Sequence, residues 1–193
     1  GLGVLGWHSL LQSQSIPFES MDAKFLNTQI HRIIRDRSHA ASKEMALRYG
    51  EPELLKGYGM RNVTTMAIAP TASSSIILGH VSPGIEPYLS NYFVDDAAKG
   101  KFTYRSKYLE EVLVKYDKNN KETWDSILIK GGSVQHLDFI STHEKAVFKT
   151  FDEISQRELV IQAASRQKFV DQGQSLNFRI DSNVSIKDMN SLY

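Results

Sequence analysis

Hydroxyl-bearing and small side chains are concentrated at Pro70 to Ser75, directly after the uncharged stretch at residues 62–69. The small side chains leave successive backbone N–H groups accessible. A helix that begins here would direct the positive end of its dipole toward the same point. This combination is typical of a phosphate site that needs no cationic side chain. A serine-rich turn that merely caps a helix has the same composition, so these residues alone leave both interpretations open.

The elements that would position this loop are helices that alternate with a few buried strands. Val63 and Ile68 belong to a stretch that favours extended structure, and residues 62–69 are predicted to form a buried strand. A long helix is predicted from Met21 to Tyr49, between a serine cap and a glycine stop. The fold class is therefore α/β, either open or barrel. Further elements are predicted as a hairpin at 91–94 and 101–104, helices at 107–116, 122–130, 144–151 and 153–170, a short element at 76–78, a strand at 175–180, and a final helix after Ser185 that still runs at Tyr193.

Composition excludes several classes of protein. The formal net charge is +1, and lysine and arginine are interspersed with aspartate and glutamate. No global field therefore favours direct binding to nucleic acid or to an anionic membrane. No apolar run approaches the length of about 20 residues that a membrane-spanning helix needs.

The sequence contains no cysteine. Disulfides, thiolate catalysis and cysteine-ligated metal are therefore excluded within these residues. A cytoplasmic setting is the default expectation for such a composition.

Other side chains that could bind a metal ion or act in acid–base chemistry have simpler interpretations. His31 and His39 lie eight residues apart on the long predicted helix. That separation is about two helical turns, too far for one metal ion, so no metal site is predicted. Asp95 and Asp96 are expected in a solvated turn, and Glu86 in structural packing.

Several motifs, in this order along the chain, resemble the large subunit of ribonucleotide reductase. The resemblance extends over essentially the whole chain, and the joint match is specific although each motif alone is weak. The central motif is Asn62 to Pro87, with the sequence NVTTMAIAPTASSSIILGHVSPGIEP. It is accompanied by the glycine-rich opening Gly1 to Leu11, by Ser133 to Leu137, and by Arg166 to Asn177.

The resemblance implies a fold and a site. Residues 1–193 would be a single partial domain, the later portion of a ten-stranded α/β barrel. The loop would hold the phosphates of a ribonucleotide through Pro70, Thr71, Ala72, Ser73 and Ser74. The family reduces ribonucleotides to deoxyribonucleotides, with a thiyl radical that takes the 3′ hydrogen and a cysteine pair that supplies electrons. None of those cysteines is present, so no catalytic residue is assigned and the isolated chain is expected to be inactive.

The resemblance also implies partners. The substrate would be a ribonucleoside diphosphate, and the cysteines would come from an N-terminal part of the large subunit. The radical would come from a small subunit of the diiron/tyrosyl type, since a class I enzyme is the first choice and a cobalamin-dependent enzyme the second. No cofactor is expected in this chain, and neither a membrane nor nucleic acid is expected as a partner.

The alternative is a non-catalytic domain that binds a phosphorylated ligand or acts only in assembly. The lack of cysteine favours this alternative for the chain in isolation. The chain opens without an initiator methionine, which indicates a piece of a longer protein or the product of a split gene.

Overall fold

The computed structural model describes residues 1–97 and 100–190, with backbone alone at 95–97, 100–102 and 188. Strands β1 (Tyr92–Ala97) and β2 (Gly100–Arg105) form an antiparallel hairpin. The hairpin was predicted, but its strands extend beyond the predicted bounds of 91–94 and 101–104 into the expected turn. The α-helices are α1 (Trp7–Ser13), α2 (Met21–Tyr49), α3 (Ala72–Ile77), α4 (Lys107–Lys115), α5 (Lys121–Ile129), α6 (Thr142–Val147), α7 (Gln156–Gln167) and α8 (Ile186–Asn190), and Glu53–Leu55 and Phe151–Glu153 are 3-10 turns.

Three extended segments lie side by side in parallel. Segment A (residues 1–4) pairs with segment B (residues 64–69) through a bridge between Leu2 and Met66. Segment B pairs with segment C (residues 172–178) through a bridge between Ile68 and Gln174. Met66 and Ile68 are buried together with Ile85 and Val170, so segment B lies in a hydrophobic core. The carboxyl ends of all three segments therefore lie at one edge.

Helix α2 has the bounds that its flanking residues predict. The Ser20 hydroxyl accepts a hydrogen bond from the amide of Ala23 at 3.1 Å, and the helix ends before Gly50, which has a φ of 79°. Both features are standard helix-terminating devices. The helix packs against α7.

The hairpin and helices α4 to α6 share a second hydrophobic core. Trp124 lies at its centre, fully buried, with the ring of Tyr92 at 5.5 Å between centroids. The other buried residues are Leu109, Leu113, Ile127, Val134, Leu137, Ile140, Val147 and Phe148.

Two expected strands are extended segments without a regular ladder. Residues 62–69 form isolated bridges instead of a continuous ladder, because the amides of Thr65 and Met66 donate hydrogen bonds to the Asp171 carboxylate. Residues 175–180 remain unladdered because the amides of Asn177 and Arg179 donate to side chains. In each case a side-chain acceptor takes an amide that a strand would use for pairing.

Two predicted helices have different bounds in the structure. Helix α6 begins at Thr142 because Ser141 and Glu144 form a capping box, and it ends before the predicted residue. A second capping box, at Thr150, begins a separate 3-10 turn, and α7 starts only at Gln156. The predicted short element at 76–78 is the end of α3, and Tyr193 lies outside the described residues.

The ten-stranded barrel is not formed by the described residues, which contribute one two-stranded sheet and the three parallel segments. Three segments cannot close a barrel, because the outer edges of segments A and C have no further neighbour in this part of the chain. In residues 1–97 and 100–190, no helix has both the length and the apolarity that a membrane crossing requires.

Candidate phosphate site

The predicted phosphate loop lies at the carboxyl edge of segment B. Pro70 follows the segment, and Thr71 is the N-terminal cap residue of α3, with a left-handed φ of 49°. The amide of Ser75 donates to the Thr71 carbonyl at 2.9 Å. The amides of Ala72, Ser73 and Ser74 precede that bond and therefore have no acceptor within the helix. All three of these residues are exposed, so three amides without an acceptor inside the helix lie together in an exposed turn.

The backbone is unusual just before α3, at Thr71, and shortly after it, at His80. Thr71 and His80 are left-handed residues with side chains, a conformation that costs roughly 1–2 kcal/mol each. Each is held by a hydrogen bond. The Thr71 hydroxyl accepts from the amide of Gly84 at 2.7 Å, and the His80 carbonyl accepts from the Tyr88 hydroxyl at 2.8 Å.

The loop that contacts Thr71 is itself anchored to α1. The Ser82 hydroxyl accepts hydrogen bonds from the amides of His8 and Ser9, at 2.9 and 3.2 Å, and so caps α1 from a distant part of the sequence. The Ser82 amide donates in return to the Ser9 hydroxyl at 2.7 Å. The Trp7 amide donates to the Gly84 carbonyl at 3.2 Å. Residues 82–84 are therefore fixed on one side by α1 and on the other by Thr71.

Glu86 joins this loop to segment C. Its Oε1 atom accepts two hydrogen bonds from Asn177, one from the backbone amide at 3.0 Å and one from Nδ2 at 2.8 Å. The sequence predicted structural packing for Glu86 and assigned nothing to Asn177. The only available signal was that both residues lie within the resemblance motifs.

A cavity of about 600 Å³ opens beside the first turn of α3. Its volume is in the range of sites that bind small molecules. Its walls are mostly apolar, with polar groups from Ser75, Glu86, Asn177 and Arg179. The Arg179 guanidinium is also paired with Asp152, at 2.8 Å, in an exposed position.

Two tyrosines form the polar back of this region. The Tyr88 hydroxyl shares a hydrogen bond of 2.6 Å with the Ser9 hydroxyl and accepts one from the Tyr104 hydroxyl at 3.3 Å. Burial raises the pKa of both tyrosines, so both stay protonated at neutral pH and act as hydrogen-bond donors. Together they hold His80, which follows α3, in place.

His8 is a neutral acceptor beneath the loop. Its Nδ1 atom accepts from the amide of Tyr88 at 3.0 Å. Burial lowers the pKa of His8 to about 4. His8 is therefore a structural residue in this site, with no exposed face for a ligand.

The histidine pair considered for metal binding is separated in the structure. His31 is buried, with Nδ1 at 2.8 Å from the Asn27 carbonyl, whereas His39 lies 4.0 Å from the Asp171 carboxylate. No group of three metal-ligating side chains occurs among the described residues. The side chains of Asp95 and Asp96 lie outside the described residues, and their backbone is part of β1 and not of a turn.

Three parallel extended segments, flanked by helices and followed by a small-residue loop at their carboxyl edge, are the arrangement of an α/β domain. The family described as "Ribonucleotide reductase, barrel domain" matches residues 1–54 and 50–193. The chain therefore belongs to the ribonucleotide reductase barrel-domain family.

Two relatives support membership in this family. The ribonucleoside-diphosphate reductase large subunit of Invertebrate iridescent virus 6 is 40% identical over 197 residues, which cover 100% of this chain and 20% of the viral protein. The large subunit from Danio rerio is 31% identical over 212 residues, with 93% of this chain and 27% of that protein covered.

A solved structure is similar over the whole chain. The Actinobacillus ureae class Id ribonucleotide reductase alpha subunit is 49% identical and superposes with a TM-score of 0.94. The match covers 100% of this chain and 35% of that subunit. The chain thus spans between a fifth and about a third of the length of these three proteins.

Proposed function

We propose that this chain is part of the catalytic subunit of a ribonucleoside-diphosphate reductase and supplies its substrate-phosphate loop. The observation that carries the proposal is the family match along the chain, combined with three free amides at Ala72, Ser73 and Ser74. The loop follows segment B at the edge where α/β domains bind ligands.

In this proposal the loop binds phosphate mainly through its backbone. The amides of Ala72, Ser73 and Ser74 donate to phosphate oxygens, and the hydroxyls of Ser73 and Ser74 add two further donors. The neutral donors match the dianionic group because aligned peptide dipoles supply partial positive charge. Thr71 acts differently, since its hydroxyl already accepts from Gly84 and its left-handed backbone turns the chain into α3.

The rest of the reaction requires groups that this chain lacks. The sequence has no cysteine, so the thiyl radical and the reducing pair must come from another part of the large subunit. The ten-stranded barrel would be completed by that part. The radical generator would come from a small subunit, of the diiron/tyrosyl type expected for class I, and the name of the similar Actinobacillus subunit supports class I. The chain alone would be inactive.

The phosphate loop can be tested by placing charge at its first turn. The protein for this test is the complete assembly, meaning the complete polypeptide that carries these residues together with the subunits that purify with it. Ser73→Glu should weaken binding of a ribonucleoside diphosphate by more than about ten-fold, because a carboxylate repels phosphate. Ser73→Ala is the matched control, since it keeps the amide and should weaken binding by no more than a few-fold. Equal binding by Ser73→Glu and the unaltered protein would reject the loop.

The second candidate is a non-catalytic phosphate-binding or assembly domain, which the lack of cysteine favours. Intact masses of the native protein and of everything that purifies with it distinguish the two. A longer chain or a cysteine-bearing partner supports the reductase subunit. This chain alone, without such a partner, supports the non-catalytic domain.

A further inference from the structure

Glu86 and Thr71 are held by one short loop. Glu86 binds segment C through its two hydrogen bonds from Asn177. Two residues earlier, the amide of Gly84 donates to the Thr71 hydroxyl at 2.7 Å. Ile85 lies between them and is 2% exposed, within the core that contains Met66 and Ile68. Three consecutive residues are therefore fixed, each to a different part of the domain.

The position of Gly84 favours glycine for two reasons. Gly84 has a φ of 49°, and a Cβ atom there would lie 3.0 Å from the Ala69 carbonyl oxygen. The loop therefore lies closer to the end of segment B than a residue with a side chain would readily permit. A shift of residues 84–86 would act on Thr71 through the hydrogen bond to its hydroxyl, and a β-branched side chain has little χ1 freedom with which to absorb the shift.

Thr71 in turn determines where the first turn of α3 points. It is the cap residue of the helix, and its left-handed backbone is strained for a β-branched residue. The Gly84 hydrogen bond is the described side-chain contact that holds it in this conformation. Loss of that contact would allow Thr71 to relax and would move the amides of Ala72 to Ser74.

We propose that Glu86 is a positioning residue for the phosphate loop. It connects segment C to Thr71 through Asn177 on one side and Gly84 on the other, and so sets the direction of the free amides without touching the phosphate. This proposal rests on the proposed function, because it assumes that the amides of Ala72 to Ser74 bind the substrate phosphates.

Four variants of the complete assembly test this role, with inorganic pyrophosphate as the binding probe and a ribonucleoside diphosphate as the substrate. Glu86→Ala should weaken pyrophosphate binding and raise KM by about ten-fold, with kcat changed by less than about three-fold. Glu86→Gln keeps an oxygen that can accept from Asn177 and should restore binding to within about three-fold. Asn177→Ala removes only one of the two donors and should have an intermediate effect. Glu44→Ala removes an exposed carboxylate from α2 and should change nothing.

The outcomes separate this proposal from the one on which it rests. If Ser73→Glu weakens pyrophosphate binding but Glu86→Ala does not, the positioning role is rejected and the phosphate loop stands. If Ser73→Glu has no effect, the phosphate loop itself is rejected. If Glu86→Ala and Glu86→Gln lower the melting temperature and activity equally, without a specific rise in KM, Glu86 is only a stabilising residue and the proposal fails.

Discussion

The Nη1 atom of Arg166 lies 3.0 Å from the side-chain oxygen of Asn27, inside the interface between α7 and α2. Its Nε atom donates to the Gln174 side-chain oxygen at 2.6 Å. Arg166 is 1% exposed, and burial lowers its pKa to about 9, so it remains charged at neutral pH. A single buried guanidinium thus joins two helices to segment C through neutral acceptors.

Replacement of Arg166 by alanine should destabilise the fold strongly. It leaves the oxygen of the buried Asn27 and that of the half-buried Gln174 without this donor and opens a cavity, at an expected cost of about 3 kcal/mol in the free energy of unfolding. Urea unfolding followed by circular dichroism measures this cost. Arg157→Ala, at an exposed position of the same helix, is the control and should cost less than about 0.5 kcal/mol. Equal costs for the two variants would contradict the structural role of Arg166.

His8 should make stability depend on pH. Its pKa is lowered by burial to about 4, below the value of about 6.5 in an unfolded chain. Between these two pH values the unfolded state binds more protons than the folded state. The free energy of unfolding is therefore highest above about pH 6.5 and decreases as the pH falls toward 4. The expected loss is about 3 kcal/mol in the free energy of unfolding. Urea unfolding at several pH values gives the free energy of unfolding as a function of pH. This free energy should change less between pH 6.5 and 4 in His8→Gln than in the unaltered protein. An unchanged pH dependence would exclude His8 as its source.

Asp171 should stabilise segment B through its charge. Burial alone would raise the pKa of this carboxyl, but hydrogen bonds from the amides of Thr65 and Met66 and from the Thr65 hydroxyl lower it overall. Asp171→Asn should cost about 1–3 kcal/mol, because it removes a charged acceptor from three donors. This stabilisation should be complete above the unfolded pKa of about 3.9 and should be lost as the pH falls through the lower pKa of the folded state. Urea unfolding at pH values from 7 down to about 2 checks this, and the difference in stability between the two proteins should shrink as the pH falls below about 3.9.

Gly57 and Gly132 offer a comparison in which backbone strain is matched. Both have a φ of 86°, but a Cβ atom at Gly132 would overlap the Ser90 hydroxyl, whereas nothing lies within 4 Å at Gly57. Gly57→Ala should cost about 1 kcal/mol from backbone strain alone. Gly132→Ala should cost about 1–3 kcal/mol more, because Ser90 and its neighbours must move. Thermal unfolding of both variants measures the difference, and similar melting temperatures would show that the overlap is relieved without cost.

Local signals predicted the helices and the hairpin best. The serine before α2 and the glycine after it lie within one turn of the ends they determine, so the sequence was sufficient for both bounds. The strands at 62–69 and 175–180 were predicted from β-branched and apolar residues. Their ladders are interrupted by Asp171 and Glu86, and no local pattern indicates that a distant side chain will accept a strand amide.

The candidate site also has one part that the sequence predicted, the loop, and one part that it did not, the contacts that hold the loop. The loop at Pro70 to Ser74 was identified from its composition and its resemblance, and its phosphate-binding role stays a prediction. The contacts that hold it were not predictable, because Asn177 and Glu86 are 91 positions apart. Glu86 therefore had no visible partner in the sequence and was interpreted as ordinary packing.

The position of segment B between segments A and C has a consequence for folding. The segment that leads into the loop finds its parallel neighbours at residues 1–4 and 172–178, and no local partner can replace them. We expect contacts of such long sequence separation to form late, because loop-closure entropy must be lost before they stabilise the chain. We therefore expect the geometry of the Ala72 to Ser74 amides to be completed late in folding, so that a nascent or partly folded chain lacks it.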